Sequence, residues 1–184
     1  MVRTRLCTGL ALTAVAALVA LVGCAPPGRT APSGGVLGIG DSVMLGGESA
    51  LQADIPGMTV DAVVSRQYST LPIVVAAHAR AGQLPGTVVI HLGTNGTISG
   101  ATCDSVMRQL GNRRVVMVTL TVPRTWQDGN NATIQACAAR NDAALVDWHA
   151  ASAGHPELLA PDGYHLRAAG ARLYASLIAQ KVRA

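Results

Sequence analysis

The stretch Val36-Leu37-Gly38-Ile39-Gly40-Asp41-Ser42 is a short apolar run that stops at an acid and a hydroxyl. An uncharged run of this length is typical of a buried strand. Aspartate and serine are favoured at helix N-termini, so the stretch predicts a strand followed directly by a helix. Ser42 can help to cap that helix or act as a nucleophile, and this motif alone leaves both interpretations open.

Apolar runs of strand length alternate with helical patterns along the rest of the chain. The predicted strands are Val36–Ile39, Met58–Val64, Thr87–Leu92, Arg114–Thr121 and Ala144–Trp148. The predicted helices cover 43–54, 68–81, 103–110, 130–141 and 166–182. This alternation indicates an α/β fold over residues 36–184, a three-layer α/β/α domain with a five-stranded parallel sheet. Ligands bind beyond the carboxyl ends of such strands, so Ser42 and the segments after Leu92 and Trp148 are expected at one rim.

Residues 1–23 have the organisation of a secretory signal peptide. Arg3 and Arg5 precede an apolar run of 12 residues that ends at Leu21, shorter than a span that crosses a bilayer. Leu21-Val22-Gly23-Cys24 resembles a bacterial lipobox, which predicts lipidation of Cys24 and anchoring to the outer face of the cell membrane. Residues 24–35 then form a flexible tether. The alternative is an ordinary signal peptide or an uncleaved anchor, with Cys24 incidental.

The remaining cysteines limit the chemistry of the domain. Of the four cysteines, Cys7 leaves with the signal and Cys24 is the predicted lipid site. The pair Cys103 and Cys137 predicts a disulfide in an exported domain, with two free buried thiols as the alternative. Neither cysteine has a second ligand at the spacing that zinc sites use, so no metal and no cofactor are expected. The sequence has no basic run and only 3% aromatic residues, so no nucleic-acid partner is expected.

Two further segments carry polar side chains at the predicted rim. Gly93-Thr94-Asn95-Gly96 follows the third strand and offers an amide that can donate to an oxyanion. Asp162-Gly163-Tyr164-His165 precedes the last helix and offers an acid that can orient an imidazole. With Ser42 these groups predict a nucleophilic triad in which His165 takes the serine proton. A helix cap and two ordinary turns are the alternative explanation.

These three segments resemble, in order, the first, third and fifth sequence blocks of the SGNH, or GDSL-like, hydrolases. The resemblance implies a flavodoxin-like SGNH hydrolase fold, with Ser42 as the nucleophile, His165 as the general base and Asp162 as its partner. It also implies that the Ser42 amide and the Asn95 side chain donate to the oxyanion. The Gly-x-Ser-x-Gly elbow of α/β-hydrolases is absent, and Val43 occupies the third glycine position of a dinucleotide-binding loop.

The second block departs from the family pattern, because Ser65 stands where a glycine usually supplies a backbone N–H to the oxyanion hole. The segment Ser65-Arg66-Gln67 is similar to SGNH domains attached to acyltransferase-3 membrane proteins, including peptidoglycan O-acetyltransferases. Arg66 and Trp126 are candidate substrate-binding residues. A salt bridge or a core contact remains open for each of them.

The resemblance implies an extracytoplasmic serine esterase or O-acyltransferase that acts on small acyl esters, such as acetyl esters, of carbohydrate or cell-wall components. Transfer would need a separate membrane protein as acyl donor, because this chain has no multi-pass membrane domain. The competing hypothesis is a non-catalytic, lipid-anchored accessory or binding module of the cell envelope. Ser65 in the glycine position keeps that hypothesis open.

Overall fold

In a computed structural model, which describes residues 34–184, the chain forms a parallel sheet between two layers of helices. The strands are β1 (Val36–Gly40), β2 (Met58–Ala62), β3 (Thr87–His91), β4 (Arg114–Val118) and β5 (Ala144–Val146). Their order is β2-β1-β3-β4-β5, and all neighbouring strands are parallel. The predicted α/β/α class with five parallel strands is confirmed, and the order is that of flavodoxin-like sheets.

The described part of the chain contains seven α-helices. They are α1 (Ser42–Gly46), α2 (Glu48–Asp54), α3 (Leu71–Arg80), α4 (Gly100–Leu110), α5 (Gln127–Arg140), α6 (Trp148–Ser152) and α7 (Ala168–Arg183). Two single 3₁₀ turns cover Tyr68–Thr70 and Pro156–Leu158.

The prediction of a single helix over 43–54 is wrong, because the helix is interrupted between Gly46 and Glu48 and forms two short helices. A Cβ at Gly47 would lie 3.2 Å from a ring carbon of Tyr174 and 3.3 Å from Leu166 Cδ1. Glycine is a poor helix former, but here it lets the backbone between α1 and α2 approach the α7 side of the domain closely.

Strands β2 to β5 all end earlier than predicted, β2 at Ala62 and β3 at His91. β4 ends at Val118, and the amide and carbonyl of Leu120 bond instead to the Asn131 side chain, at 2.7 and 2.9 Å. β5 ends at Val146, and Trp148 begins the short helix α6, which Asp147 caps by accepting from Ala150 N at 3.0 Å. A five-residue helix is too short for its periodicity to be recognised in the sequence.

Both faces of the sheet carry a hydrophobic core. One face packs against α3, α4 and α5, with Leu71, Val106 and Ile134 almost fully buried. The other face packs against α2 and α7, with Leu51 and Ile178 fully buried. Because both faces are covered, the strands are continuously apolar rather than alternating, which is why the sequence indicated a parallel sheet.

A disulfide joins Cys103 on α4 to Cys137 on α5. Of the two alternatives for this pair, the structure therefore contains the disulfide. Among residues 34–184, no helix combines the length and the apolar character needed to cross a bilayer. The predicted signal peptide, the lipidated Cys24 and all but the last two residues of the tether lie outside the described residues.

Candidate active site

Ser42 is the first residue of α1 and follows the carboxyl end of β1 by two positions. Asp41 caps the helix, because its Oδ1 accepts a hydrogen bond from Val43 N at 3.0 Å. The Ser42 hydroxyl takes no part in this cap and lies 3.0 Å from His165 Nε2. As the first residue of the helix, Ser42 also has an N–H without an intrahelical partner. The capping role that the sequence left open therefore belongs to Asp41.

His165 lies in a turn just before α7 and is oriented by Asp162. His165 Nδ1 is 2.7 Å from Asp162 Oδ2, while Asp162 Oδ1 accepts from the backbone N–H groups of Tyr164 and His165, each at 3.1 Å. Partial desolvation of the Asp162 carboxylate acts to raise its pKa. The hydrogen bonds outweigh this effect and hold the pKa below its ordinary value. The ionised acid favours a proton on Nδ1, which leaves Nε2 free to accept from Ser42.

Ser65 adopts the backbone geometry that made glycine the expected residue at its position. Its φ is 62°, in the left-handed region that non-glycine residues seldom occupy. Among residues 34–184, no group accepts a hydrogen bond from the Ser65 N–H. Replacing glycine by serine has therefore preserved a free backbone donor, and the serine side chain is exposed.

Asn95 lies in the loop after β3, on the same rim as Ser42. Asn95 Nδ2 is 3.5 Å from the carbonyl oxygen of Arg66, so one of its amide protons points toward the Ser65 loop. Gly93 turns the chain here with φ 127°, and a Cβ would lie 2.6 Å from Ile98 Cδ1. Asn130 holds the loop from the side, since its Nδ2 donates to the carbonyls of Gly93 and Gly96 at 3.0 and 2.8 Å.

The sequence and the fold both relate this chain to known acyl-transferring proteins. It is 34% identical over 140 residues to the peptidoglycan O-acetyltransferase OatA of Listeria monocytogenes, over 76% of this chain and 22% of that protein. It is 35% identical over 149 residues to the putative peptidoglycan O-acetyltransferase YrhL of Bacillus subtilis, over 80% of this chain and 24% of that protein. The chain thus spans about a quarter of the length of these curated relatives.

A comparison with solved structures also finds a peptidoglycan O-acetyltransferase. The C-terminal catalytic domain of Streptococcus pneumoniae OatA, solved with a methylsulfonyl adduct, matches with a TM-score of 0.69 and 28% identity, covering 83% of this chain and 94% of that domain. The chain belongs to the SGNH hydrolases. A scan against protein-family models finds no match.

Arg66, a candidate substrate-binding residue of this SGNH domain, makes its contacts within the protein. Its guanidinium forms a salt bridge with Asp61, with Nη2 2.6 Å from Oδ1, and the Arg66 side chain is only 11% exposed. The salt bridge that the sequence left open for Arg66 is therefore present.

Trp126, the other candidate, borders a small cavity of about 260 Å³ at the rim. Ser65, Asn95, Arg124 and Tyr164 also line this cavity, and the Tyr164 ring lies against the His165 ring with centroids 4.2 Å apart. Trp126 Nε1 is buried, and within residues 34–184 it has no hydrogen-bond partner. A cavity of this size is smaller than the sites that hold drug-sized ligands, and it suits a small acyl group or one edge of a sugar.

Two of the larger open depressions lie away from the Ser42 side of the rim. One, of about 480 Å³, lies at the amino ends of β4 and β5 and is lined by Arg114 and Ala144. The other, of about 710 Å³, lies behind the turn that carries His165 and is lined by Ser152 and Gly163. Neither depression contains the Ser42 hydroxyl.

A buried polar cluster next to Ser42 carried no recognisable sequence signal. His91 is buried at the end of β3 with Nδ1 2.7 Å from the Tyr174 hydroxyl. Burial lowers the pKa of His91, although the nearby Asp41 opposes this, so the ring is neutral. Asp41 Oδ2 and His91 Nε2 are buried, and neither has a partner among the described residues. His91 and Tyr174 are separated by 83 positions, so no local motif predicts their pairing.

Within the described residues, no group of three or more His, Cys, Asp or Glu side chains is arranged to hold a metal ion. The remaining histidines have separate partners. His78 Nε2 contacts Asp61 Oδ2 at 2.8 Å, and His155 Nδ1 contacts Glu157 Oε1 at 2.9 Å. His149 Nδ1 lies 3.4 Å from Thr121 Oγ1.

Proposed function

We propose that this domain is an extracytoplasmic serine esterase or O-acyltransferase that acts on small acyl esters, most directly acetyl esters, of cell-wall carbohydrate. The observation that carries the proposal is the continuous row from Ser42 Oγ through the His165 ring to Asp162, with contacts of 3.0 and 2.7 Å. The N–H of Ser65, which is unpaired among the described residues, and the side-chain amide of Asn95 lie on the same rim. The relationship to the peptidoglycan O-acetyltransferases supports the choice of acyl group and acceptor.

The reaction follows from the protonation states of these groups. Ser42 Oγ attacks the acyl carbon while His165 Nε2 takes its proton, and the ionised Asp162 stabilises the imidazolium that forms. The negative charge that develops on the acyl oxygen is met by the N–H groups of Ser42 and Ser65 and by the Asn95 amide. His165 then returns the proton to the leaving alcohol, which leaves an acyl group on Ser42.

A second attack releases the acyl group. His165 takes a proton from the incoming water or sugar hydroxyl, which attacks the acyl carbon, and Ser42 leaves with the proton that His165 returns. Water gives an esterase and a sugar hydroxyl gives a transferase. If the acyl donor lies on the other side of the membrane, a separate membrane protein would deliver the acyl group to this domain.

The test compares the purified protein with Ser42→Ala in two assays. The native protein should hydrolyse p-nitrophenyl acetate and should gain one methylsulfonyl mass on Ser42 after treatment with methanesulfonyl fluoride. Ser42→Ala should lose both properties, whereas Ser49→Ala, which changes an exposed serine of α2, should keep them. Equal turnover by the native protein and Ser42→Ala would overturn the proposal and favour the non-catalytic module. Mass analysis of a chitooligosaccharide added as acceptor then separates transfer from hydrolysis.

The anchor is a separate part of the proposal. We infer that Cys24 is lipidated and holds the domain on the outer face of the cell membrane, on the basis of the lipobox-like Leu21-Val22-Gly23-Cys24. Cys24→Ala should move the protein out of the membrane fraction, while Cys7→Ala should leave it there. Unchanged fractionation of Cys24→Ala would contradict lipidation.

A further inference from the structure

We propose that Arg66 is a positioning residue that holds the Ser65 and Asn95 donors of the oxyanion hole in place, rather than a substrate-binding residue. It does so within a clamp, defined here as the side chains of Asp61, Arg66 and His78. This inference rests on the proposed function, because it assigns Arg66 a role in the same reaction.

The guanidinium of Arg66 ties the Ser65 loop to the end of β1. Its Nη1 donates to the carbonyl oxygen of Gly40 at 3.3 Å, two residues before Ser42, and also to the carbonyl oxygen of Asp61. Its Nη2 donates to Asp61 Oδ1 at 2.6 Å. A planar guanidinium can make several such contacts at fixed angles, which a lysine ammonium cannot reproduce. The position of the loop is thereby set relative to the nucleophile.

Asp61 is itself held from two sides. Oδ1 accepts from Arg66, and Oδ2 lies 2.8 Å from His78 Nε2 on α3. Partial burial acts to raise the pKa of Asp61, but the hydrogen bonds and charges of Arg66 and His78 outweigh it, so the pKa lies below its ordinary value. The clamp therefore connects β1, β2 and α3 around an ionised carboxylate.

The backbone of Arg66 closes the turn that contains Ser65 and also contacts the Asn95 side chain. Its N–H donates to the carbonyl of Val63 at 3.2 Å, which closes the turn that contains Ser65. Ser65 has φ 62°, a conformation that non-glycine residues keep only when surrounding contacts enforce it. The Arg66 carbonyl accepts from Asn95 Nδ2 at 3.5 Å. A displacement of Arg66 would therefore move the Ser65 N–H and release the Asn95 amide together.

Arg66→Lys tests the inference, with Arg140→Lys as the matched control. Arg140 forms a salt bridge of 3.0 Å with Asp104 on the surface, so its replacement loses an arginine–aspartate pair away from the rim. With p-nitrophenyl acetate, we expect Arg66→Lys to lower kcat by about tenfold or more and to leave KM within about threefold, since a misplacement of about 1 Å in a catalytic group costs up to about 100-fold in rate. Arg140→Lys should keep both constants.

A double-mutant cycle with Asn95→Ala separates positioning from general stability. If Arg66 acts partly by orienting Asn95, the penalty of Arg66→Lys should be smaller in the Asn95→Ala background than in the native one. The full penalty in both backgrounds would overturn the inference. A native kcat for Arg66→Lys, measured while Ser42→Ala is inactive, would also overturn the inference. Activity that survives Ser42→Ala would instead overturn the proposed function, and this inference with it.

Asp61→Asn provides a second variant if circular dichroism shows that Arg66→Lys does not fold. Asparagine has nearly the same shape as aspartate but cannot hold the guanidinium by charge. We expect a smaller loss of kcat in the same direction, again with little change in KM. A folded Asp61→Asn protein with native kcat would overturn the inference.

Discussion

His165 Nε2 lies 3.0 Å from Ser42 Oγ, although the two residues are 123 positions apart in the chain. The contact forms because β1 delivers Ser42 to the same rim at which the chain turns into α7. At this distance His165 Nε2 can accept the Ser42 proton directly, as the proposed role of general base requires.

Replacing this base should remove most of the activity. We expect His165→Ala to lower kcat for p-nitrophenyl acetate by about 10⁴- to 10⁶-fold, because Ser42 then has no proton acceptor. His155→Ala is the control, since His155 pairs with Glu157 at 2.9 Å on the surface. A His165→Ala protein with more than a few per cent of native activity would contradict the assignment.

The Asn95 amide should matter in the transition state and little in the ground state. Asn95→Ala is expected to lower kcat by about 10²- to 10³-fold with little change in KM, as loss of one oxyanion donor does. Asn112 is exposed just before the amino end of β4, so Asn112→Ala should have native kinetics. A change confined to KM would instead indicate that Asn95 only binds substrate.

The Cys103–Cys137 disulfide closes a loop with a sequence separation of 34 residues. On the chain-entropy model, its removal by Cys103→Ser with Cys137→Ser should lower the free energy of unfolding by about 3 to 4 kcal/mol. Chemical denaturation under non-reducing conditions measures this. The native protein in reductant should lose a similar amount, and an unchanged unfolding midpoint in both cases would show that the bridge does not stabilise the fold.

Gly170 lets helix α7 pack closely against the backbone of the 3₁₀ turn Pro156–Leu158. A Cβ there would meet the carbonyl oxygen of Leu158, which is backbone and cannot swing aside. Gly170→Ala should therefore lower the free energy of unfolding by about 1 to 3 kcal/mol through overpacking. Gly129→Ala in α5, where a Cβ meets nothing within 4 Å, should be neutral or slightly stabilising. Equal thermal midpoints for the two variants would contradict this.

Asp61 predicts a pH dependence of stability. Its pKa in the folded state lies below the ordinary value of 3.8 because of Arg66 and His78. The ionised form therefore stabilises the folded state above pH 3.8, and this contribution disappears as the pH falls through the lowered pKa. The stability difference between the native protein and Asp61→Asn, followed by urea denaturation, should shrink as the pH falls below 3.8. A difference that grows on acidification would contradict the argument.

The role of Arg66 could not be predicted from the sequence alone. The sequence suggested substrate binding or a salt bridge, and the choice depended on Asp61 and on the carbonyl of Gly40, which lies on another strand. His91 and Tyr174 are a similar case, because a buried pair at long sequence separation has no local pattern. The break at Gly47 depended on the packing of Tyr174 and Leu166 against it.

The sequence by itself determined the alternation of strands and helices, the α/β/α class and the three short segments that carry Ser42, Asn95 and His165. These are local properties, set by apolar periodicity and by turn residues at strand ends. Only the tertiary structure decided that Asp41 rather than Ser42 makes the helix cap, that Ser65 adopts a φ of 62°, and that Arg66 turns inward to Asp61. The Ser42 hydroxyl is free for His165, and Arg66 reaches the Gly40 carbonyl, because the packed sheet brings together segments that are distant in the sequence.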